Sequence, residues 1–455
     1  MKKIFGFLFI AGIVLLLVAL FCFKPLNTTP YQQTEFYKKE IAAINQVSNQ
    51  KSEIRSSDTI SVGWSSINLL PPFTTPIAID ANRGGKHFEG VHDSIYVRAF
   101  VFKQGEKKIA YISADLLIIP PTVSKMFDTI LKKEGYDASN IFFTATHTHS
   151  SIGGWYNSYV GEKFAGKYDE RVPKHIADCI SKAILEAEKN CATAKIGYAE
   201  FSTQKLVYNR LVKDMAHLPD SVGEVDSLLR LVKIEKESGE KAAIITFAAH
   251  CTVFHEDMMS LSGDWGGMMM KRLNLSGKVN FCSLSAGAVG SHGPYEFSKN
   301  QETEAAYMAE QVAEIVGRNF DSIKTDLVSS LSMIHLPLFL RDPNLRITNN
   351  IIVRPWLFHK LFGDEKVYIN TLQVGNIFFA GMPCDFSGEL VNEIDSIADK
   401  RNRKLIVTSF NGGFVGYITD DEWYSLNTYE TRLMNWFGPG NGSYFSEIVM
   451  KMLGE

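Results

Sequence analysis

From Ile60 onward the chain alternates short apolar runs of β type with stretches at helical spacing, and few folds accept that alternation. Tyr96-Val-Arg-Ala-Phe-Val-Phe alternates as a half-buried strand does. Lys108-Ile-Ala-Tyr-Ile-Ser-Ala-Asp115 and Asn140-Ile-Phe-Phe-Thr-Ala-Thr146 read as fully buried strands. A helix is predicted over residues 121–133, and another over 175–189, where Ile176, Ile180, Ala183, Ile184 and Ala187 share one face. The second half repeats the pattern. Strands are predicted over 228–235 and 242–249, a long helix over 302–320, and paired strands over 368–380 turning at Gly375-Asn376. A helix over 388–401 and a strand over 404–410 follow. Such alternation implies an α/β fold of mixed β-sheets flanked by helices. No repeat, low-complexity tract or linker follows residue 58. One catalytic domain, residues 59–455, is therefore expected, although 455 residues is long for a single domain.

Ahead of that body, Met1-Lys2-Lys3 precedes an uncharged apolar run over residues 4–23, closed by Lys24-Pro25. About 20 apolar residues in a helix span the roughly 30 Å of a bilayer core. The exit, Ala19-Leu20-Phe21-Cys22-Phe23, has no Ala-x-Ala and no lipobox, which favours a retained signal anchor over a cleaved signal peptide. Lys2 and Lys3 favour a cytoplasmic N-terminus. The expected order is a transmembrane helix over 1–24, a polar stalk over 25–58 with a short helical stretch near residues 35–47, and the catalytic domain on the extracytoplasmic side.

Composition removes other classes. The formal net charge is −3, with no block of like charges, so a nucleic-acid partner is not expected. The six cysteines form no Cys-x-x-Cys, which argues against a zinc knuckle or redox dithiol. Cys251 and Cys384 read as small buried apolar side chains.

The chemistry gathers at strand ends. Two residues apart on an extended chain, the imidazoles of His147-Thr148-His149 face the same side. One is then free to bind a metal while the other reaches a substrate; read alone, the pair fits two polar residues at a strand end equally well. Phe247-Ala-Ala-His250 closes another strand, with His255 and Ser262-Gly263-Asp264 downstream. His250 and His147 make a candidate zinc pair, since three protein ligands leave a site open. Asp385, just past an apolar strand, either enters the same cleft or caps the next helix. Gly412-Gly413-Phe-Val-Gly416-Tyr417 supplies glycines suited to close backbone approach. No His-Glu-x-x-His or Gly-x-Ser-x-Gly is present, and His147-Thr-His149 lacks a following Asp-His.

Taken in order, these segments resemble the catalytic domain of neutral/alkaline non-lysosomal ceramidases over residues 61–444. The resemblance is carried by His92-Asp-Ser-Ile-Tyr-Val-Arg-Ala-Phe-Val, Ser113-Ala-Asp-Leu, Ala145-Thr-His-Thr-His-Ser, Tyr208-Asn-Arg210, Ser262-Gly-Asp, Gly416-Tyr-Ile-Thr and Tyr429-Glu430. It implies one zinc ion per chain, held by His147, His250, Asp385 and Tyr417. It also implies that His149, Arg210 and Tyr429 face the scissile amide. Zinc polarises the carbonyl or activates water, Arg210 or Tyr429 stabilises the oxyanion, and His149 passes a proton to the leaving amine.

Three positions depart from the family pattern. Asp385 stands where the family has glutamate, with Glu389 as the alternative acidic ligand. Gly290 falls on the family's active serine, leaving Ser291 beside it as the candidate. The family's C-terminal β-sandwich has no counterpart up to Glu455. The expected function is zinc-dependent hydrolysis of an N-acyl linkage in ceramide, a related N-acyl lipid or a small amide. The alternatives are a zinc hydrolase of another cell-envelope amide or ester, and a non-catalytic lipid- or glycan-binding homologue.

Overall fold

The computed structural model describes residues 2–50, 58–78, 83, 85–203, 206–213, 224–364 and 366–454. Two β-sheets stack at its centre. The larger has nine strands, eight of them running in the order Phe281–Ala286, Lys241–Phe247, Leu228–Lys236, Ala192–Ser202, Ser61–Asn68, Tyr96–Gln104, Lys107–Ala114 and Ile141–Ala145. Only its two edge pairs are parallel, 241–247 with 281–286 and 107–114 with 141–145. The smaller sheet runs Leu331–Pro337, Tyr368–Val374, Ile377–Gly381 and Lys404–Thr408, with its last pair parallel.

The period-2 alternation of buried strands builds the layers. Along Lys107–Ala114, Ile109 and Tyr111 join the cluster between the sheets, with Phe142, Leu372, Phe379 and Ile406. Ala110, Ile112 and Ala114 turn to the other face and pack with Ile176, Ile180 and Ile184 of the helix Arg171–Lys189. Helices Asp264–Leu275 and Gln301–Asn319 cover the other end of the large sheet. Helices Val391–Lys400 and Asn441–Leu453 cover the small one. The result is a helix–sheet–sheet–helix stack, the mixed α/β class expected.

Most predicted elements lie within a residue or two of their place. The helix expected over 121–133 does not form as one piece. It breaks into an α-turn, Pro121–Ser124, and 3-10 turns Lys125–Asp128 and Lys132–Glu134. Val123, Phe127 and Leu131 are still buried, so burial of that face is met without a continuous helix.

The N-terminal segment differs more. A helix runs over Lys2–Cys22, with Phe5, Leu8, Phe9, Leu15 and Leu17 exposed. Among the described residues no helix is long and apolar enough to cross a membrane, so the expected transmembrane span has no support there. The stretch expected as a stalk is packed against the domain. Phe23–Pro25 pairs antiparallel with Ile351–Val353. In the helix Glu35–Gln50, Glu40 accepts from the Phe339 N–H at 2.7 Å, and Ile44 is buried. Tyr31 and Tyr37 donate to Glu447 at 2.8 and 2.6 Å. The apolar face of that short helix, Phe36, Ile41 and Ile44, is what a free tether would lack.

Candidate metal and substrate site

The segments that follow three buried strands of the two sheets converge on one place. His147 follows the strand ending at Ala145, His250 the one ending at Phe247, and Asp385 the one ending at Gly381. Asp385 does not cap a helix. It opens a two-residue strand paired in parallel with Tyr417–Ile418, in a register that sets Asp385 beside Tyr417. Tyr417 and Arg210 lie close enough to the Asp385 carboxyl to oppose the rise in its pKa that burial causes. The glycines before Tyr417 are used as expected. Gly416 has φ +77°, and an added Cβ would overlap the Met434 carbonyl oxygen.

Ring nitrogens of His147, His149 and His250, placed so that they could hold a metal ion, lie within 4.8 Å of one another. His147 Nδ1 is 2.6 Å from the Leu117 carbonyl oxygen and His250 Nδ1 2.6 Å from that of His292. Each Nδ1 must therefore carry its proton and donate, which leaves each Nε2 as a bare acceptor. Those Nε2 atoms are 3.4 and 3.7 Å from Asp385 Oδ1. Among the described residues, His250 Nε2 and Asp385 Oδ1 are buried without a hydrogen-bond partner. Two imidazole lone pairs and a carboxyl oxygen converge on one buried point with no hydrogen-bond donor between them, so the donor set fits a metal cation.

Electrostatics agrees. Burial pushes His147 down to about 3, and His149 and His250 well below their ordinary range, so all three imidazoles are neutral. Burial pushes the Asp385 carboxyl up to about 8, against the opposing pull of Arg210 and Tyr417.

The two histidines of the His-Thr-His segment converge for a reason other than the extended chain expected. His147 has φ +63°, a left-handed conformation uncommon outside glycine. Phe410, itself at φ +67°, stacks on its ring with centroids 4.2 Å apart and planes 13° apart. The Leu117 hydrogen bond and this stack hold the kinked backbone. His149 Nε2 then lies 3.4 Å from His147 Nε2, close enough to count with the ligand cluster.

A cavity of about 340 Å³ opens from this cluster. Its walls are apolar: Ile118, Trp155, Phe164, Phe362, Phe414 and Trp436 are among them, with His147, His149, Asp385 and Tyr417 at one end. Arg210 and Tyr429 line it too. Arg210 donates to the Gly290 carbonyl at 2.7 Å and lies 3.5 Å from Glu430, while its Nε is buried without a partner.

Ser291 is not brought to this cavity. Asp226 N–H donates to His292 Nε2 at 3.0 Å, so His292 Nδ1 carries the proton and donates to Ser291 Oγ at 2.8 Å. Gly388 N–H also donates to that oxygen, which itself donates to Glu389. Every hydrogen-bonding capacity of the hydroxyl is committed, and it holds one oxygen of Glu389, the alternative ligand, whose Oε1 is buried without a hydrogen-bond partner. Gly290 packs on the backbone of Asp385: an added Cβ would lie 2.5 Å from the Asp385 carbonyl oxygen. The sequence reading missed Phe410, the Leu117 and His292 carbonyls and the aromatic cavity wall. Only the glycine pair after Phe410 hints at an unusual backbone there.

Fold and site together define an α/β protein with a buried, histidine-rich metal-type centre at the end of an apolar cavity. The family model described as neutral/alkaline non-lysosomal ceramidase, N-terminal, matches residues 82–316, and the chain belongs to that family. It is 26% identical over 172 residues to the neutral ceramidase of Pseudomonas aeruginosa, which covers 36% of this chain and 26% of that protein. It is 29% identical over 192 residues to neutral ceramidase A of Dictyostelium discoideum, covering 38% and 26%. The matched stretch thus spans about a quarter of each relative's length. The fold is also that of a solved ceramidase complexed with C2: TM-score 0.76 at 16% identity, over 87% of this chain and 75% of the other. The crystal structure of the P. aeruginosa neutral ceramidase gives 0.73 at 17%, over 87% and 74%.

Proposed function

We propose that the chain is a zinc-dependent amide hydrolase that cleaves an N-acyl linkage in a lipid-like substrate to a carboxylic acid and an amine. The observation that carries this is the partnerless pair His250 Nε2 and Asp385 Oδ1, aimed with His147 Nε2 into one dry point at the end of an apolar cavity. His147, His250, Asp385 and Tyr417 would hold the ion. The chemistry zinc supplies when bound is polarisation of a carbonyl and acidification of water.

The remaining roles fall to the chain itself. The apolar wall takes the acyl chain and excludes water from the amide. Arg210, with its Nε turned to no other partner, supports negative charge on the carbonyl oxygen. His149, kept neutral by burial, accepts a proton from the attacking water and delivers it to the leaving nitrogen. Tyr429 forms part of the cavity wall beside Tyr417, ring centroids 5.7 Å apart. Ser291 is a positioning residue that ties Glu389 to the loop following Gly290.

Attachment to a membrane through the Lys2–Cys22 helix, with the domain of residues 59–455 on the extracytoplasmic side, belongs to the same reading. Its support is the exposed apolar surface of that helix and its firm join to the body. Trp356 donates to the Phe21 carbonyl at 3.2 Å, and Trp356 lies on the helix Pro355–Phe362, whose last residue lines the apolar cavity. Carbonate extraction of membranes and protease accessibility of intact cells test this part.

The chemistry is tested by metal analysis of the purified protein with amidase assays on N-acyl substrates. The expected result is about one zinc per chain, with metal and activity both lost in the His147→Ala/His250→Ala double variant. Activity in a metal-free preparation, or in that variant, would overturn it.

A further inference from the structure

The apolar cavity is one of two that meet at the same residues. A second cavity, of about 520 Å³, shares His149 and Arg210 with the first and is otherwise lined by different residues. Its lining is of another kind, including Arg83, Tyr208, Thr252, Glu256, Lys299 and Gln301. His255, Glu256 and Lys299 are exposed, so this lobe opens to solvent, whereas the first is walled by aromatic side chains.

The polar lobe is built rather than incidental. Arg83 is only 1% exposed, and its guanidinium donates to the carbonyl oxygens of His149, at 2.5 Å, and of His255. One buried cation therefore ties the residue at the waist to the outer wall. On the opposite wall the Glu304 carboxylate accepts from the backbone N–H groups of Phe297 and Ser298 at 2.9 and 2.6 Å, which shapes the loop before Lys299. Gln301 fixes the facing loop by accepting from His255 N–H at 2.9 Å.

An amide held at His149 and Arg210 places its two substituents in chemically opposite chambers. The carbonyl-side chain lies among aromatic rings. The nitrogen-side group enters a wet lobe lined by charged and hydroxyl-bearing side chains, where a long hydrocarbon would strip water from those groups with nothing returned. We propose that the polar lobe is a head-group subsite, and that the substrate class is an N-acyl compound whose amine part is short and polar, an amino alcohol or amino acid, rather than one carrying a second long alkyl chain. This deepens the amidase reading and rests on it for the location of the scissile bond.

Binding separates the two claims. Trp155 and Trp436 line the apolar lobe, so their fluorescence reports acyl-chain entry whether or not hydrolysis follows. The probes are laurate, N-lauroylethanolamine and N-lauroylhexylamine, all below their aggregation limits, with hydrolysis measured separately. N-lauroylethanolamine should bind at least tenfold more tightly than N-lauroylhexylamine. Thr252→Trp, which fills the polar lobe, should abolish that preference while laurate binding is unchanged; Thr252→Leu serves if the larger residue prevents folding. Equal or tighter binding of the hexyl compound, or a preference that survives both variants, would overturn the head-group subsite. The preference with no cleavage of any probe would sustain the subsite and overturn the amidase reading instead.

Discussion

Restoring the family's serine at position 290 should damage this protein. A Cβ on Gly290 would lie 2.5 Å from the carbonyl oxygen of Asp385 and 2.9 Å from the carbonyl carbons of Asp385 and Phe386. These are backbone atoms, locked by Gly290 N–H donating to Phe386 at 2.8 Å and by the pairing of Asp385–Phe386 with Tyr417–Ile418. They have no rotamer with which to yield, so Gly290→Ser must push Asp385, the proposed acidic ligand, and its neighbour Tyr417 away from His147 and His250. Overpacking of this kind costs about 1–3 kcal/mol. With unfolding entropy near 2.1 cal/mol/K per residue, 455 residues give roughly 1 kcal/mol/K, so the melting temperature falls by only ~1–3 °C. Metal affinity is the sensitive readout, because displaced supporting geometry typically weakens a site about 10–100-fold. The assay is zinc retention against a graded competing chelator, run beside amidase activity. A Gly290→Ser protein that holds zinc as tightly as the parent and hydrolyses faster would refute the argument that the Asp385 backbone occupies the space of that side chain.

Other perturbations test separate parts of the structure. Gly416→Ala combines a left-handed φ of +77° with overlap on the Met434 carbonyl, and should lower stability by more than about 2 kcal/mol in urea titrations; an unchanged midpoint would contradict it. Val160→Trp, in the wall of the apolar lobe, should shift the preferred acyl chain to shorter lengths with the metal content intact. Burial raises the Glu40 carboxyl to about 7, above an unfolded value near 4.3, so the folded state holds this proton longer. Its contribution to stability is greatest below pH ~4 and is lost as pH rises to 7, on the order of 3 kcal/mol in all. Glu40→Gln keeps an acceptor for the Phe339 N–H and should flatten that slope in urea midpoints measured from pH 4 to 8.

How much of this was legible beforehand follows from what each feature depends on. Strand alternation and helical spacing are local, so the elements on both sheets, the Gly375-Asn376 turn and the helix Arg171–Lys189 could be placed from the chain alone. His147, His250 and Asp385 were recognisable because each follows an apolar strand. A position just past the carboxyl end of a buried strand is read from local pattern. The segment 25–58 misled because its polar composition conceals the few apolar residues, Phe36, Ile41 and Ile44, that suffice to dock a short helix.

What only the tertiary structure decided is the division of labour around His147. Its left-handed backbone is stable because Leu117 and Phe410, 30 residues before and 263 after it, grip the ring from two sides. Ser291 is spent on Glu389, and Gly290 is filled by the backbone of Asp385, because the two loops carrying them cross there. The joining of an aromatic chamber to a polar one at His149 and Arg210 likewise comes from segments scattered across the chain. The sequence alone determined which residues are of a kind to bind a metal; the packing of distant loops determined which of them converge on one buried point, which line the cavity, and which are held elsewhere.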